Sequence, residues 1–428
     1  MENISKKIGI IGAGPAGIFT ALFLAKKYTT ELKSGEIEIH IFEKNKKLGK
    51  KLKLTGGGRM NISNKILNPN TFFSSNSRKK EHFFKSKFFE KSDIIHSVQQ
   101  FSVISLFDEL EIKYFWEKNR AMLKSENARS DVEELQARLE KIKNIFIHVN
   151  TEINSIKTSE NNTFIIENKT FDNLVITTGG MLQMEDKKSA NSQLNKQKTY
   201  GLLEQFGHTI VKTSPSLSPF RFSKKEIITL NFAEVAGQSF TGKIYAKNVN
   251  TKKNTEILDD ILITHLGLSG PAILDFSALW DKKSDVFLNF IPEYTEKTLT
   301  KKLQDLRNGK NNILSFFRQF VSKKLAKFLI EKTKITHLFF ADITKQELKN
   351  VVSVFCAFAL PKPELFPYQA CWTTKGGVSL SDINISTLES KKISHLFIAG
   401  EILDIDGLCG GYHISLCALQ AKIISENV

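Results

Sequence analysis

Ile8-Gly9-Ile10-Ile11-Gly12-Ala13-Gly14-Pro15-Ala16-Gly17 is the stretch that decides the fold. The apolar run ending at Ile11 predicts a short buried strand. The glycines form a G-x-G-x-x-G, and the following residues predict a helix to Lys27 with Ile18, Ala21, Leu22 and Ala25 on one face. A second strand is expected over residues 37–42, with Glu43 just after it. This order answers a chemical need. Gly12 makes the tight turn, Gly14 admits a pyrophosphate to the backbone, and Gly17 lets helix and strand pack closely. The phosphates then lie at a helix N-terminus, where free N–H groups and the helix dipole favour anions. An acid ending the next strand accepts from ribose hydroxyls and disfavours a 2′-phosphate, so Gly12, Ala13, Gly14, Pro15, Ala16, Gly17 and Glu43 are expected to hold FAD or NAD.

Two further glycine clusters favour FAD. Thr55-Gly56-Gly57-Gly58-Arg59-Met60-Asn61 suggests backbone lying flat against a ligand, with Arg59 and Asn61 as polar contacts; a glycine-rich surface turn is the alternative reading. Near the C-terminus, a strand over residues 395–399 leads to Gly400 and Glu401. Gly410-Gly411-Tyr412-His413 then opens an apolar helix over residues 414–424. A second helix N-terminus beneath a flavin's pyrimidine edge would stabilise the charge that reduction places there. A separate nicotinamide domain is not visible, so NADH or NADPH is expected only as a transient donor.

These segments, together with Thr-His-Leu-Gly-Leu-Ser-Gly-Pro-Ala-Ile-Leu at residues 264–274 and the G-E-x-L-D-x-D-G run from Gly400, resemble the YhiN/BaiN-like flavoproteins. That family comprises NAD(P)/FAD-dependent oxidoreductases, some described as aminoacetone oxidases. The resemblance spans residues 8–421. It implies an α/β protein with a discontinuous Rossmann-like FAD-binding domain, residues 1–198 and 345–428. The implied insert is 199–344, a β-barrel over 199–275 and a helical bundle over 290–344. Carried over by position, Lys44, Lys51, Ile153, Thr178, Gly179, Gly180, Gly400, Glu401, Asp406, Gly411, Tyr412, His413 and Ile414 join the cofactor site. Met60, His413 and Ser415 stand where the family usually has cysteine, asparagine and glutamine. Thr177 replaces an alanine, and residues 181–198 are polar and lysine-rich where the family is rich in Pro and Gly.

The remaining signals are bland. Four cysteines without a C-x-x-C argue against a disulfide framework or a zinc site and suit the cytoplasm. Asp404 and Asp406 alternate in an extended turn, so they are expected to point apart rather than share a proton. The net charge of +16 comes mainly from lysine, with only eight arginines. Lys, Asn, Ile and Phe are over-used together, and all have A/T-rich codons. The lysines read as scattered apart from runs such as residues 44–53, so no dedicated nucleic-acid or membrane partner is expected. Helices are expected over 296–306, 312–332 and 344–360. The leading function is reduction of an activated C=C bond of a small organic substrate by FAD, with NAD(P)H as donor. Oxidation of a small amine, or a flavoprotein that binds RNA or a protein, is the alternative. His413 and Arg59 are the candidates for catalytic contacts.

Overall fold

A computed structural model describes residues 5–85, 103–125, 127–159, 163–181, 192–247 and 254–428. Most of the polar stretch at 181–198 that departs from the family lies outside the described residues. Two compact units divide the chain. The first comprises residues 1–214 and 373–428, the second residues 215–372.

The first unit is built on a parallel five-stranded sheet. Its strands are β1 (Lys6–Ile11), β2 (Ile37–Phe42), β3 (Ile145–His148), β4 (Asn173–Ile176) and β5 (Leu396–Ile398), in the order β5-β4-β1-β2-β3. Ile8, Ile10, Ile39, Ile41, Leu174 and Ile176 are fully buried. Near-continuous apolar strands are what a parallel sheet covered on both faces requires. Helix α1 (Pro15–Lys27) follows β1, α2 (Ala128–Glu140) precedes β3, and α3 (Tyr412–Asn427) packs along α1. Strand β3 ends at His148, whose carbonyl accepts the Glu43 N–H at 2.8 Å. Residues 114–123 form a hairpin that pairs with Asn61–Asn64.

The second unit carries a seven-stranded antiparallel sheet with Ser239–Lys247 and Asn254–Thr264 at its centre. The ladder is open. Its edge strands, Phe358–Ala359 and Glu364–Leu365, are consecutive in sequence. The Thr264-to-Leu274 motif turns here: Gly270, at φ +97°, precedes helix Pro271–Leu279, and a Cβ on it would stand 2.6 Å from Asp260 O. That motif is scaffold within this unit. One continuous core joins the sheet to the helices through Phe220, Phe240, Phe290, Phe317, Phe328 and Phe355.

Two expectations need correction. The insert runs from Pro215 to Trp372, not 199 to 344. Lys345–Cys356 packs on Lys323–Thr333 and Glu296–Leu306, so its apolar stripe commits it to the second unit. The helix expected over 312–332 is two helices, Ile313–Phe317 and Lys323–Thr333. Ser322 starts the second by accepting the Leu325 N–H at 3.2 Å. The break lets Phe317 lie flat on Phe355, ring centroids 3.6 Å apart. Phe317→Ala should destabilise this unit by about 3–5 kcal/mol, read as an earlier denaturant midpoint for the second unit's transition.

Candidate functional site

The three glycines of the first motif play three different roles. Gly12 has φ +97°, and a Cβ there would meet Thr177 O at 2.5 Å. Gly17 faces the Gly12 carbonyl so closely that a Cβ would sit 2.0 Å from its oxygen. Gly14 is extended (φ −75°, ψ −170°), and a Cβ there would meet nothing within 4 Å. Two glycines therefore close the turn, and one opens it outward. Helix α1 starts immediately after Gly14, has no side-chain cap, and carries Pro15 at its first position. Its first-turn amides are the anion site expected of such an end.

Two side chains hold this turn. The Thr177 hydroxyl donates to Gly12 O at 2.6 Å, so the replacement of alanine by threonine adds a tie. Glu43, 7% exposed, accepts from the Ala13 N–H at 2.9 Å and from the Asn45 N–H at 2.9 Å. Its carboxylate thus braces the loop, a part sequence reasoning missed. Lys44 next to it is exposed, and Ile153 is buried in the irregular segment after β3.

The other clusters converge on the C-terminal ends of β4 and β5. Gly179, at φ +79°, has nothing within 4 Å of a Cβ position, while Gly180 packs against Thr374 and Glu401. Glu401 accepts from the Thr374 N–H at 2.8 Å and is ion-paired with Lys51. Gly400 turns at φ +89° and donates its N–H to Gln420 Oε1 at 2.7 Å. Residues 52–58 form a 3₁₀ turn ending at Gly58, φ +91°, also open beside its Cα. Gly411, φ +95°, precedes α3, whose start again has no side-chain cap. A Cβ on Gly411 would stand 2.7 Å from Asn61 Oδ1. That oxygen is buried and has no hydrogen-bond partner among the described residues. Tyr412 turns away and donates its hydroxyl to Ile66 O at 2.9 Å; Ile414 is buried.

Arg59 does not join this convergence. Its guanidinium forms a two-pronged pair with Glu117, at 2.6 and 3.1 Å, and both side chains are more than 40% exposed. The two aspartates part as expected. Asp404 takes the Ser75 N–H at 3.0 Å and the Ser74 and Ser75 hydroxyls, and burial pushes its pKa up. Asp406, 2% exposed, faces His413, with Nε2 3.2 Å from Oδ1 and 3.0 Å from Gly407 O. The Gly407 N–H also points at Nε2, 3.2 Å away, so this nitrogen is shared among the Asp406 carboxylate and both backbone groups of Gly407. Burial alone would lower the imidazole pKa. The hydrogen bond and charge of Asp406, with Glu401 behind it, outweigh burial and the opposing Lys51, and hold it above 6.5. Nδ1 has no partner among the described residues. Cys417, buried on α3, has its thiol pushed up to about 12 by burial, which removes it as a nucleophile.

These features fit a dinucleotide with a flat ring: two uncapped helix starts, three glycines open beside their Cα atoms, and one buried amide oxygen without a partner. The chain belongs to the family described as HI0933-like protein, Rossmann domain, whose model matches residues 6–426. It is an FAD-dependent oxidoreductase. It is 27% identical over 420 residues to a ribosomal RNA dihydrouridine synthase of Haemophilus influenzae, covering 96% of each chain. To a ribosomal RNA dihydrouridine synthase of Escherichia coli it is 26% identical, covering 98% of this chain and 97% of the relative. To a 3-dehydro-bile acid delta(4,6)-reductase of Clostridium scindens it is 24% identical, covering 95% of each. The first two overturn the expectation that no nucleic acid is involved. An argument from codon composition bears on how many lysines there are and says nothing about their use. Among the described residues, no helix is long and apolar enough to cross a membrane.

Two outcomes follow from this geometry. Gly14→Val should fold with an unchanged melting temperature yet retain no flavin, whereas Gly17→Val should fail to fold because its side chain meets the Gly12 carbonyl. Flavin absorbance and circular dichroism of the pair separate the roles. The His413–Asp406 pair also makes stability depend on pH. A histidine raised above its unfolded value contributes stability that is complete below about 6.5 and is lost as pH rises through the folded value. His413→Asn should therefore cost most at about pH 6 and progressively less at alkaline pH, measured by denaturant midpoints across that range.

Proposed function

We propose that this protein reduces the C5=C6 bond of uridine in ribosomal RNA, with FAD as its cofactor and NADH or NADPH as electron donor. The observation that carries this is chemical agreement among relatives named for different substrates. A uracil ring and an unsaturated 3-oxo steroid share one reactive unit, a C=C bond conjugated to a carbonyl. Saturating it takes one hydride equivalent and one proton. FAD, when bound, supplies the two-electron step from the nicotinamide donor to the electron-poor carbon.

The protein's residues do the rest. The 12–17 turn and the first amides of α1 hold the pyrophosphate. Glu43, with Lys44 beside it, accepts from the adenosine ribose, and the backbone at Ile153 meets adenine. The Lys51–Glu401 pair flanks the ribityl chain. Residues 55–61, Thr178, Gly179 and Gly180 line one side of the ring system, and residues 411–414 line its pyrimidine edge. The positive end of α3 favours negative charge there, and the Asp406 carboxylate favours the imidazolium form of His413 beside it. With Nε2 committed to Asp406 and Gly407, Nδ1 is the nitrogen able to pass a proton outward. Arg59, held by Glu117, is not assigned a catalytic contact.

The test is an anaerobic incubation of the FAD-loaded protein with NADPH or NADH and ribosomal RNA lacking dihydrouridine. Nucleoside mass spectrometry should find uridine heavier by two hydrogens. Unmodified RNA, together with peroxide release when small amines are supplied in air, would replace this reading with amine oxidation.

A further inference from the structure

The positive charge of this chain is not spread evenly. Residues 296–350 hold thirteen Lys and Arg against five Asp and Glu, a surplus of eight and half of the chain's +16. They belong to the second unit, far along the sequence from every residue assigned to the cofactor. Three of its helices pack side by side, with Lys345–Cys356 between Glu296–Leu306 and Lys323–Thr333. Each turns its apolar stripe into the core: Leu299 and Leu303, then Leu348, Val351 and Phe355, then Leu325, Phe328 and Leu329.

Each helix also carries an exposed pair of lysines four residues apart: Lys297 and Lys301, Lys345 and Lys349, Lys323 and Lys327. Positions four apart share a helix face, so each pair sets like charges side by side, which opposes folding. None of the six is ion-paired with a carboxylate among the described residues. Lys297, Lys301 and Lys349 converge on one surface groove, joined by Glu296, Thr300 and Gln304. Three cations against one carboxylate, flanked by a hydroxyl and an amide, suit a chain of phosphates and ribose hydroxyls. An anionic bilayer suits it less. Membrane-surface helices need an apolar face free to insert, and here those faces are inside the core.

We infer that this lysine-lined groove is an RNA-backbone binding surface, separate in sequence from the cofactor site. The identity of the polyanion rests on the substrate proposed above; the surface itself rests on charge and packing. Lysines that neutralise phosphates release counterions, so affinity falls with salt in proportion to the number of contacts.

The experiment uses the full FAD-loaded chain and a short fluorescein-labelled RNA hairpin with uridines in its loop, followed by anisotropy across a potassium chloride series. The combined variant Lys297→Gln, Lys301→Gln, Lys349→Gln should bind at least about tenfold more weakly at low salt. The slope of log affinity against log salt should become shallower by about 2 to 3, three contacts at 0.7–0.9 each. Its flavin content and its bleaching by NADPH should match the unmodified protein. Removing three exposed lysines of the other unit, Lys33, Lys141 and Lys157, should leave the slope nearly unchanged. Equal binding by the groove variant, or equal loss in the control variant, overturns the inference. So does binding of the unmodified protein to phosphatidylglycerol vesicles in preference to RNA. RNA that binds through the groove but acquires no reduced uridine upholds the surface and sinks the reductase reading alone. Uridine reduced with unaltered affinity in the groove variant does the reverse.

Discussion

The approach of Gly17 to the carbonyl of Gly12 is the constraint on which the first unit depends. Only a hydrogen atom fits between them, and that contact sets helix α1 directly beyond the end of β1. The same carbonyl accepts the Thr177 hydroxyl from the end of β4, and the neighbouring amide of Ala13 is held by Glu43 from the end of β2. Three strand ends therefore meet at one turn of six residues. The outward direction of Gly14 follows from the other two glycines being occupied inward. The shape of the turn arises from backbone that has nowhere else to go, with side chains acting as braces.

Much of this was legible in the sequence because it depends on spacing. A strand, a glycine turn and a helix start are local patterns, and the two aspartates at 404 and 406 diverge simply because alternate residues of an extended turn point apart. Features that depend on partners distant in sequence were not legible. Nothing near Arg59 announces Glu117, because their pairing needs the 114–123 hairpin to fold against Asn61–Asn64. The setting of His413 depends on Asp406 being buried and on the Gly407 backbone facing the same nitrogen. Helical periodicity reports faces and not ends, so the apolar spacing from Leu314 to Leu329 ran through the break at Ser322 without registering it. The unit boundary differs for a related reason: the resemblance assigns residues 345–428 to the nucleotide fold, but the apolar stripe of Lys345–Cys356 packs with the helices that precede it.

The charge offers a different lesson. The joint over-use of Lys, Asn, Ile and Phe bears on the total count of lysines. It says nothing about where acids are absent. Half of the surplus lies in residues 296–350, where three packed helices each turn lysine outward and few carboxylates answer. Linear inspection misses this because the lysines sit on separate helices joined by loops.

The insertion also orders events during synthesis. Strand β5 and helix α3 follow the whole second unit in the chain, so a ribosome completes residues 215–372 before either emerges. Until then β4 pairs with β1 on one side only, and its other edge is open to unwanted strand pairing. The second unit has its own core and all of its strands by that stage, and it can fold as a vectorially synthesised domain does. The nucleotide sheet has to wait. Gly400, Glu401 and the start of α3 arrive last, so the five-stranded sheet and the α1–α3 pair are completed only after the second unit has been made.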